Sequence, residues 1–409
     1  MSLHSRLSFL PLKLKDFLRI SGTRFFCENS TLRLSQRTAI PSFGVLLDID
    51  GVLVRGRKPI AGVKKALELL RQAEAPSVFL TNRGLESEKE TAERLSDKIG
   101  FEVKEDQMVL SHTPLKMFNS LHDKHVLVSG QQNIKEILRS YGFTNVSEME
   151  DVRQAYPLLD MVDRERRYNH VNSGIPAKEL PPIEAILLLG EPVRWETNLQ
   201  LVIDCLVTGG SPESSVMKTN EQIPLIATNT DFLYVAEAPL PRLEDCKKRT
   251  GKELVYTALL GKPNLASYQY AEYCLLNQVS DSMPGQIKSL YAIGDNLDTD
   301  IYGANVCNEY LTSFHENDDG NIEGQVSRTG EEVEVCGTSK WMPEVTNLES
   351  ILVLTGVSCQ DAENLTSTEG ACFLHRDTAF QPHLRQACHV VDDIMAAVEL
   401  ILKKEQGSS

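Results

Sequence analysis

The run Phe43–Leu47 is apolar without a polar break and ends in two carboxylates one residue apart, Asp48 and Asp50, followed by Gly51. A run this short, with no alternation, reads as a strand covered on both faces, which belongs in a parallel α/β sheet. Ligands of such sheets bind beyond the carboxyl ends of the strands. Two acids placed there repel each other unless positive charge sits between them. A Mg²⁺ ion and a bound phosphoryl group meet that need. Asp and Gly are also ordinary turn residues, so the pair taken alone fits a surface turn as well.

The same pattern recurs along the chain. Ile60 to Ala73 has helical spacing, with Val63, Ala66, Leu67 and Leu70 on one face and Lys64, Lys65, Glu68 and Arg71 on the other. Pro76–Asn82 is a second apolar strand, ending in a hydroxyl and an amide, Thr81 and Asn82. Strand, helix, strand is the parallel crossover unit, so Thr81 is expected at the same sheet edge as Asp48. Thr81 there either donates a hydrogen bond to a phosphate oxygen or caps the helix expected over Glu86–Lys98. Leu290–Asp295 is a third buried strand ending in an acid, with Asp300 five residues on. That strand offers a further carboxylate for a hard cation, and Asp300 is a partner able to orient Lys262 or the waters of the ion. Lys262, fixed between Gly261 and Pro263 ahead of a helix at Leu265–Leu276, can offset the clustered acids or be an ordinary solvated lysine.

Between these pieces lies a second α/β pattern, 111–255, with strands expected at His125–Val128, Ile183–Leu189 and Pro224–Asn229. Helices are expected near Pro114–Leu121 and at Trp195–Val207, and Asp163–Pro182 reads as a long polar loop. It carries no carboxylate cluster and reads as a cap over a substrate pocket. The first unit, 43–110, resumes at 256–311 and 348–404 around an acidic, mobile insertion at 312–347, with a final helix at Val391–Leu402 and a disordered tail at Lys403–Ser409.

Charge is uneven. Residues 1–42 hold seven Lys and Arg against Asp16 and Glu28, a local charge of +5 in a chain of net charge −15. A basic, Ser- and Leu-rich, acid-poor lead reads as a mitochondrial transit peptide, or else as a disordered extension. The acidic remainder argues against a nucleic-acid partner. No apolar run reaches the length of a membrane span. Nine cysteines without a C-x-x-C pair give neither a disulfide framework nor zinc spacing.

Taken in order, D-I-D-G-V-L (48–53), F-L-T-N (79–82), G-K-P (261–263) and G-D-N-L-D-T-D-I (294–301) resemble the haloacid dehalogenase superfamily. The long insert and the G-K-P form of the lysine motif resemble its class IIA, which holds the 4-nitrophenylphosphatases and N-acetylglucosamine-phosphatases. The resemblance implies a Rossmann-like core with an inserted α/β cap of the C2 type, and Mg²⁺-dependent hydrolysis of a small phosphomonoester. It implies Asp48 as nucleophile, through an aspartyl-phosphate, and Asp50 as general acid and then base. It further implies Thr81, Asn82 and Lys262 on the phosphate, and Mg²⁺ held by Asp48, the Asp50 carbonyl and Asp295 with Asp300 in support. Mitochondrial matrix location, a link to glycerophospholipid metabolism and a homodimer through the cap complete the expectation.

Three departures stand against the family pattern. Arg83 follows Thr81-Asn82 where a second asparagine is common, the stretch from Pro241 to Gly261 is short, and the insertion at Thr312–Asn347 is long. The first two motivate the alternative of a catalytically weak or inactive binding or scaffold protein of this fold. Carbon–halogen cleavage is disfavoured, because it leaves Asp50 and Asp295 without a role.

Overall fold

The computed structural model describes residues 41–407 apart from 85, 161–162, 173–179, 191–194, 215–221, 229–232, 235–241, 244–257, 280–286, 317–344 and 358–380. Nearly all of the basic lead, most of the acidic insertion and most of the shortened segment lie outside the described residues.

All five residues of Phe43–Leu47 are buried, as their unbroken apolar character requires. They sit inside a six-stranded parallel sheet ordered His389–Val391, Asn347–Val353, Ser289–Gly294, Phe43–Leu47, Ser77–Leu80, Met108–Val109. Alternate side chains go to opposite faces. Val45, Leu47, Phe79 and Ile293 pack with the helices Val63–Gln72 and Ile394–Gly407. Leu46, Val78 and Leu290 pack with Leu265–Gln278 and Tyr302–Glu316. Each fully buried side chain of this size contributes roughly 1.5–3 kcal/mol, and both faces being covered explains why the strands show no polar alternation.

From Phe43–Leu47 the chain runs outward one way to Ser77–Leu80 and Met108–Val109, then returns on the other side with Ser289–Gly294. The order therefore reverses between Phe43–Leu47 and Ser289–Gly294, whose register pairs Leu47 with Ile293. This is the switch point where an α/β sheet opens a ligand crevice.

A second parallel sheet is ordered Ala258–Leu259, Leu225–Ala227, Ala185–Leu189, His125–Gly130, Asn145–Glu148. Val126, Val128 and Leu187 face one apolar layer, while Leu127, Ile186 and Leu225 face another. This sheet runs on to Leu259, past the boundary expected at 255, so Lys262 lies directly where the chain leaves it.

Several local expectations need correction. Arg164–Asn172 is a helix inside the stretch read as a loop. Its sequence has no apolar stripe to betray it, and its start is held by the Asp163 carboxylate, which accepts from the Arg166 amide at 2.9 Å. The segment from Thr113 is a 3₁₀ turn to Met117 followed by one short helix, Asn119–His122. Helix Glu88–Ile99 is capped by Ser87 in a reciprocal box with Glu90, which removes Thr81 as a cap. Tyr302–Glu316 carries helix into the start of the insertion. The tail from Lys403 is helical to Gly407, because Glu405 accepts from the Tyr291 hydroxyl at 2.7 Å and Lys404 pairs with Glu349 at 2.6 Å.

The first crossing between the units is fastened by a buried polar cluster. Glu88 accepts from the Thr113 hydroxyl at 2.9 Å, the Tyr141 hydroxyl at 2.7 Å and the Lys116 ammonium at 2.9 Å. Burial raises the carboxyl's pKa, but Lys116, then the Tyr141 hydroxyl and a backbone amide, outweigh it and hold the group below its usual value. Glu88→Ala removes the acceptor of the Thr113 hydroxyl and the acid facing Lys116, while the Tyr141 hydroxyl keeps His112 Nδ1 at 2.7 Å, so we expect a loss of about 2 kcal/mol, read as a lowered Tm in a melting scan.

Candidate active site

Four loops converge at the switch point. The Asp48 amide donates to the Ile293 carbonyl at 3.0 Å, which extends the ladder one residue and points the Asp48 side chain beyond the sheet. Gly51 then turns back with φ +93°, and a side chain there would begin 2.2 Å from the Asp295 carboxylate. Only glycine fits this turn and lets Asp295 approach.

Asp48, Asp295 and Asp300 offer carboxylate oxygens within 4.8 Å of one another, and all three residues are buried. Lys262 reaches in from the end of the second sheet, with its ammonium 2.5 Å from Asp48 and 2.5 Å from Asp300. Its backbone is clamped by Asn82: the Lys262 amide donates to the Asn82 Oδ1 at 2.6 Å, and the Asn82 amide donates to the Lys262 carbonyl at 2.8 Å. Gly261, at φ +79°, leaves room for that clamp, since a Cβ would sit 3.0 Å from Asn82 Oδ1. The other Asp300 oxygen accepts from the amides of Asp295 and Asn296 at 3.2 and 3.1 Å, made possible by a π-helical turn at Leu297–Ile301.

Electrostatics follow from burial. Three buried acids face one ammonium. Desolvation, then the Asp300 charge, pushes the Asp295 pKa up to about 8. Burial likewise raises Asp48 despite the pull of Lys262. Burial alone lowers a lysine, but Asp300 and Asp48 more than reverse this for Lys262, which stays charged. An acid cluster short of positive charge, with oxygen ligands only, fits a hard divalent cation such as Mg²⁺. The residues that would hold it are Asp48 and Asp295, with the Asp50 backbone carbonyl as the third oxygen, since the oxygens of Asp300 are already engaged.

The Asp50 carboxylate borders this cluster without joining it, and its charge adds to that felt by Asp295. Asp50 pairs with Arg83 at 3.1 Å at a partly exposed position. Thr81 is buried, and its hydroxyl accepts from the Arg83 amide at 3.2 Å. Two contacts carried no sequence signal. The Val357 amide donates to Asp295 Oδ2 at 2.6 Å, and the Thr355 hydroxyl donates to the Gly51 carbonyl at 2.6 Å. Both come from the loop after Asn347–Val353, where only the register of the sheet brings that strand's end beside Asp295.

Fold and site together define a Rossmann-like α/β protein with an inserted α/β cap and a carboxylate–lysine centre at the switch point. A family model for haloacid dehalogenase-like hydrolases matches residues 45–144. The chain is 27% identical over 342 residues to a mitochondrial hydrolase of Saccharomyces cerevisiae, covering 73% of this chain and 92% of that protein. It is 33% identical over 278 residues to a Schizosaccharomyces pombe protein named as a fusion of CMP-forming cardiolipin synthase and mitochondrial hydrolase. That match covers 63% of this chain and 45% of the fusion. Among solved structures, the p-nitrophenyl phosphatase of Archaeoglobus fulgidus superposes with TM-score 0.52 at 18% identity, over 88% of this chain and 99% of that one. A Mycobacterium tuberculosis glycerol phosphate phosphatase in complex with magnesium gives 0.51 at 19%, over 87% and 76%. At that identity the likeness speaks for the fold. Residues 45–144 thus match the haloacid dehalogenase-like hydrolases, and the likeness to proteins named as hydrolases extends over most of the chain.

Proposed function

We propose that the chain is a Mg²⁺-dependent phosphomonoesterase working through an aspartyl-phosphate on Asp48. The observation that carries this reading is the Lys262 ammonium 2.5 Å from both Asp48 and Asp300 at the switch point, with Asp295 beside them. Lys262 keeps the Asp48 carboxylate aimed and partly offsets the burial that disfavours its charge, while drawing charge from the phosphoryl oxygens. An Asp48 oxygen attacks phosphorus in line, the bond to the leaving oxygen breaks, and Asp50 delivers a proton to that oxygen. Asp50 then takes a proton from water, which attacks the same phosphorus, frees inorganic phosphate and restores Asp48. Thr81 donates to a phosphoryl oxygen. Asn82 acts as a clamp on Lys262 rather than as a phosphate ligand, and Asp300 orients the same ammonium. Bound Mg²⁺ supplies neutralising charge to the phosphoryl oxygens. Catalysis of this kind rests on placement and electrostatics, which the buried cluster supports.

The second sheet serves as the cap that sets the leaving group. The mitochondrial names of the two fungal relatives and the basic lead 1–42 support a mitochondrial site of action, in the matrix. The name of the fission-yeast relative, joined to a cardiolipin synthase, supports a substrate drawn from glycerophospholipid chemistry. A homodimer through the cap belongs to the same reading and is checked by sedimentation velocity.

The test is a phosphate-ester panel run on the full chain with and without Mg²⁺, beside a thermal shift with beryllium fluoride. Turnover and a shift that both need Mg²⁺ and Asp48 support an enzyme. A shift without turnover selects the scaffold alternative, for which Arg83 seated on Asp50 is the structural motive.

Protonation gives a further expected result. The Asp295 pKa is raised from 3.8 to about 8 on folding, so the stability it confers is complete below about pH 4 and is lost as pH climbs through about 8. Mg²⁺ competes for the same carboxylate. Its apparent affinity, read from Tm against Mg²⁺ concentration, should rise up to about tenfold per pH unit between pH 6 and 8. A flat response would show that no proton is displaced.

A further inference from the structure

Helix Glu88–Ile99 turns one face toward the Asp50 loop, and the residues on it are Thr91, Arg94, Leu95 and Lys98, spaced three and four apart. With Arg83 they line a shallow cleft, open to solvent, whose wall also includes Asp50 and Thr81. Three cations thus gather beside the groups that handle the leaving oxygen and the phosphate, in a chain of net charge −15. Among the described residues, two of them have acid partners: Arg83 pairs with Asp50 and Arg94 with Glu86. The Lys98 ammonium has, among the described residues, the Gly56 carbonyl at 3.4 Å as its hydrogen-bond partner. Crowding has a cost here. Burial, then repulsion from Arg83 and Arg94, lowers the Lys98 pKa, the opposite of what a stabilising surface ion pair does. A fold gains nothing from such an arrangement alone, whereas an incoming oxyanion relieves it.

We propose that Arg83, Arg94 and Lys98 form a cationic subsite beside Asp50 that receives a second oxyanion of the substrate, on the leaving-group side of the scissile phosphate. The inference rests on the phosphomonoesterase reading and deepens it by naming the substrate class: small phosphate esters whose alcohol part carries its own carboxylate or phosphate. Neutral alcohol phosphates lack the group that the subsite takes. The second anion also competes with Asp50 for Arg83, so its arrival releases the Asp50 carboxylate for proton transfer.

Binding can be read without turnover by titration calorimetry on the full-length Asp48→Asn chain in Mg²⁺. The probes are ethyl phosphate, 2-phosphoglycolate and ethane-1,2-diol bisphosphate. Both probes that carry a second anionic group should bind at least about tenfold more tightly than ethyl phosphate at low salt, with the gap narrowing as ionic strength rises. A stronger response to one of the two probes identifies carboxylate or phosphate as the preferred group. Adding Lys98→Met or Arg94→Gln should shrink the preference to under about threefold, while Lys98→Arg keeps it, and the charge-conserving variant controls for folding. Equal binding of all three probes, or a preference that survives Lys98→Met and Arg94→Gln, overturns the subsite and leaves the phosphate site standing. No binding of any probe overturns the phosphate site and the subsite with it.

Discussion

Asp48→Asn is expected to lose at least about 10⁴-fold in kcat while melting no lower than the parent protein. The first half follows from the chemistry: an amide cannot form the acyl-phosphate, and removal of a covalent nucleophile is among the costliest single changes an enzyme suffers. The second half follows from the geometry. Asp48 is one of three buried carboxylates sharing one ammonium, and burial raises its pKa along with that of Asp295. Asparagine keeps the shape and still accepts from Lys262, but removes one negative charge from an over-charged cluster. In the metal-free protein at pH 8 the variant should therefore melt at or above the parent. The thermal shift given by Mg²⁺ should shrink, because one ligand has lost its charge. Steady-state assays on the ester panel and melting scans with and without Mg²⁺ check both halves. Full turnover in this variant rejects Asp48 as nucleophile, and a large fall in Tm shows that the carboxylate stabilises the fold instead.

Much of this site was legible in the sequence because each functional group follows a strand with no polar interruption. Phe43–Leu47, Ser77–Leu80 and Ser289–Gly294 announce themselves as buried parallel strands, and the residues just beyond them are forced to one edge. What the sequence hides is of two kinds. One is polar structure without periodicity, such as the helix Arg164–Asn172, which is held by Asp163 and by Arg166 on Asp160 rather than by an apolar stripe. The other is contact between distant backbones. The Val357 amide on Asp295, the Asn82 clamp on Lys262 and the Thr113 and Tyr141 hydroxyls on Glu88 depend on register and crossover geometry that no local spacing encodes. Arg83 lies between these kinds: its oddness beside Thr81 and Asn82 is visible in the sequence, but its partner Asp50 is not.

Lys262→Met removes the single positive charge from this cluster and should be the most destabilising change in the site. Lys262 and its two partners are buried, and the methionine that replaces it fills similar volume without neutralising anything. Breaking a buried pair by deleting one partner costs about 3–5 kcal/mol, because the surviving charges are left unmatched in low dielectric. Here two oxygens that accepted from the ammonium, on Asp48 and Asp300, are exposed to each other. The cost has a pH signature of definite sign. With the ammonium gone the Asp48 and Asp295 pKa values move further above their unfolded values, so the variant gains stability as pH falls and loses it as pH rises. The difference in Tm between parent and variant should thus be widest near pH 8 and narrow toward pH 5. Mg²⁺ should recover part of the loss, while kcat stays down by about 10²–10³-fold because the phosphoryl oxygens have lost a donor. A second substitution separates charge from packing. If repulsion is the cause, Lys262→Met with Asp300→Asn melts above Lys262→Met alone, a coupling expected for residues in direct contact. If packing is the cause, the two losses simply add.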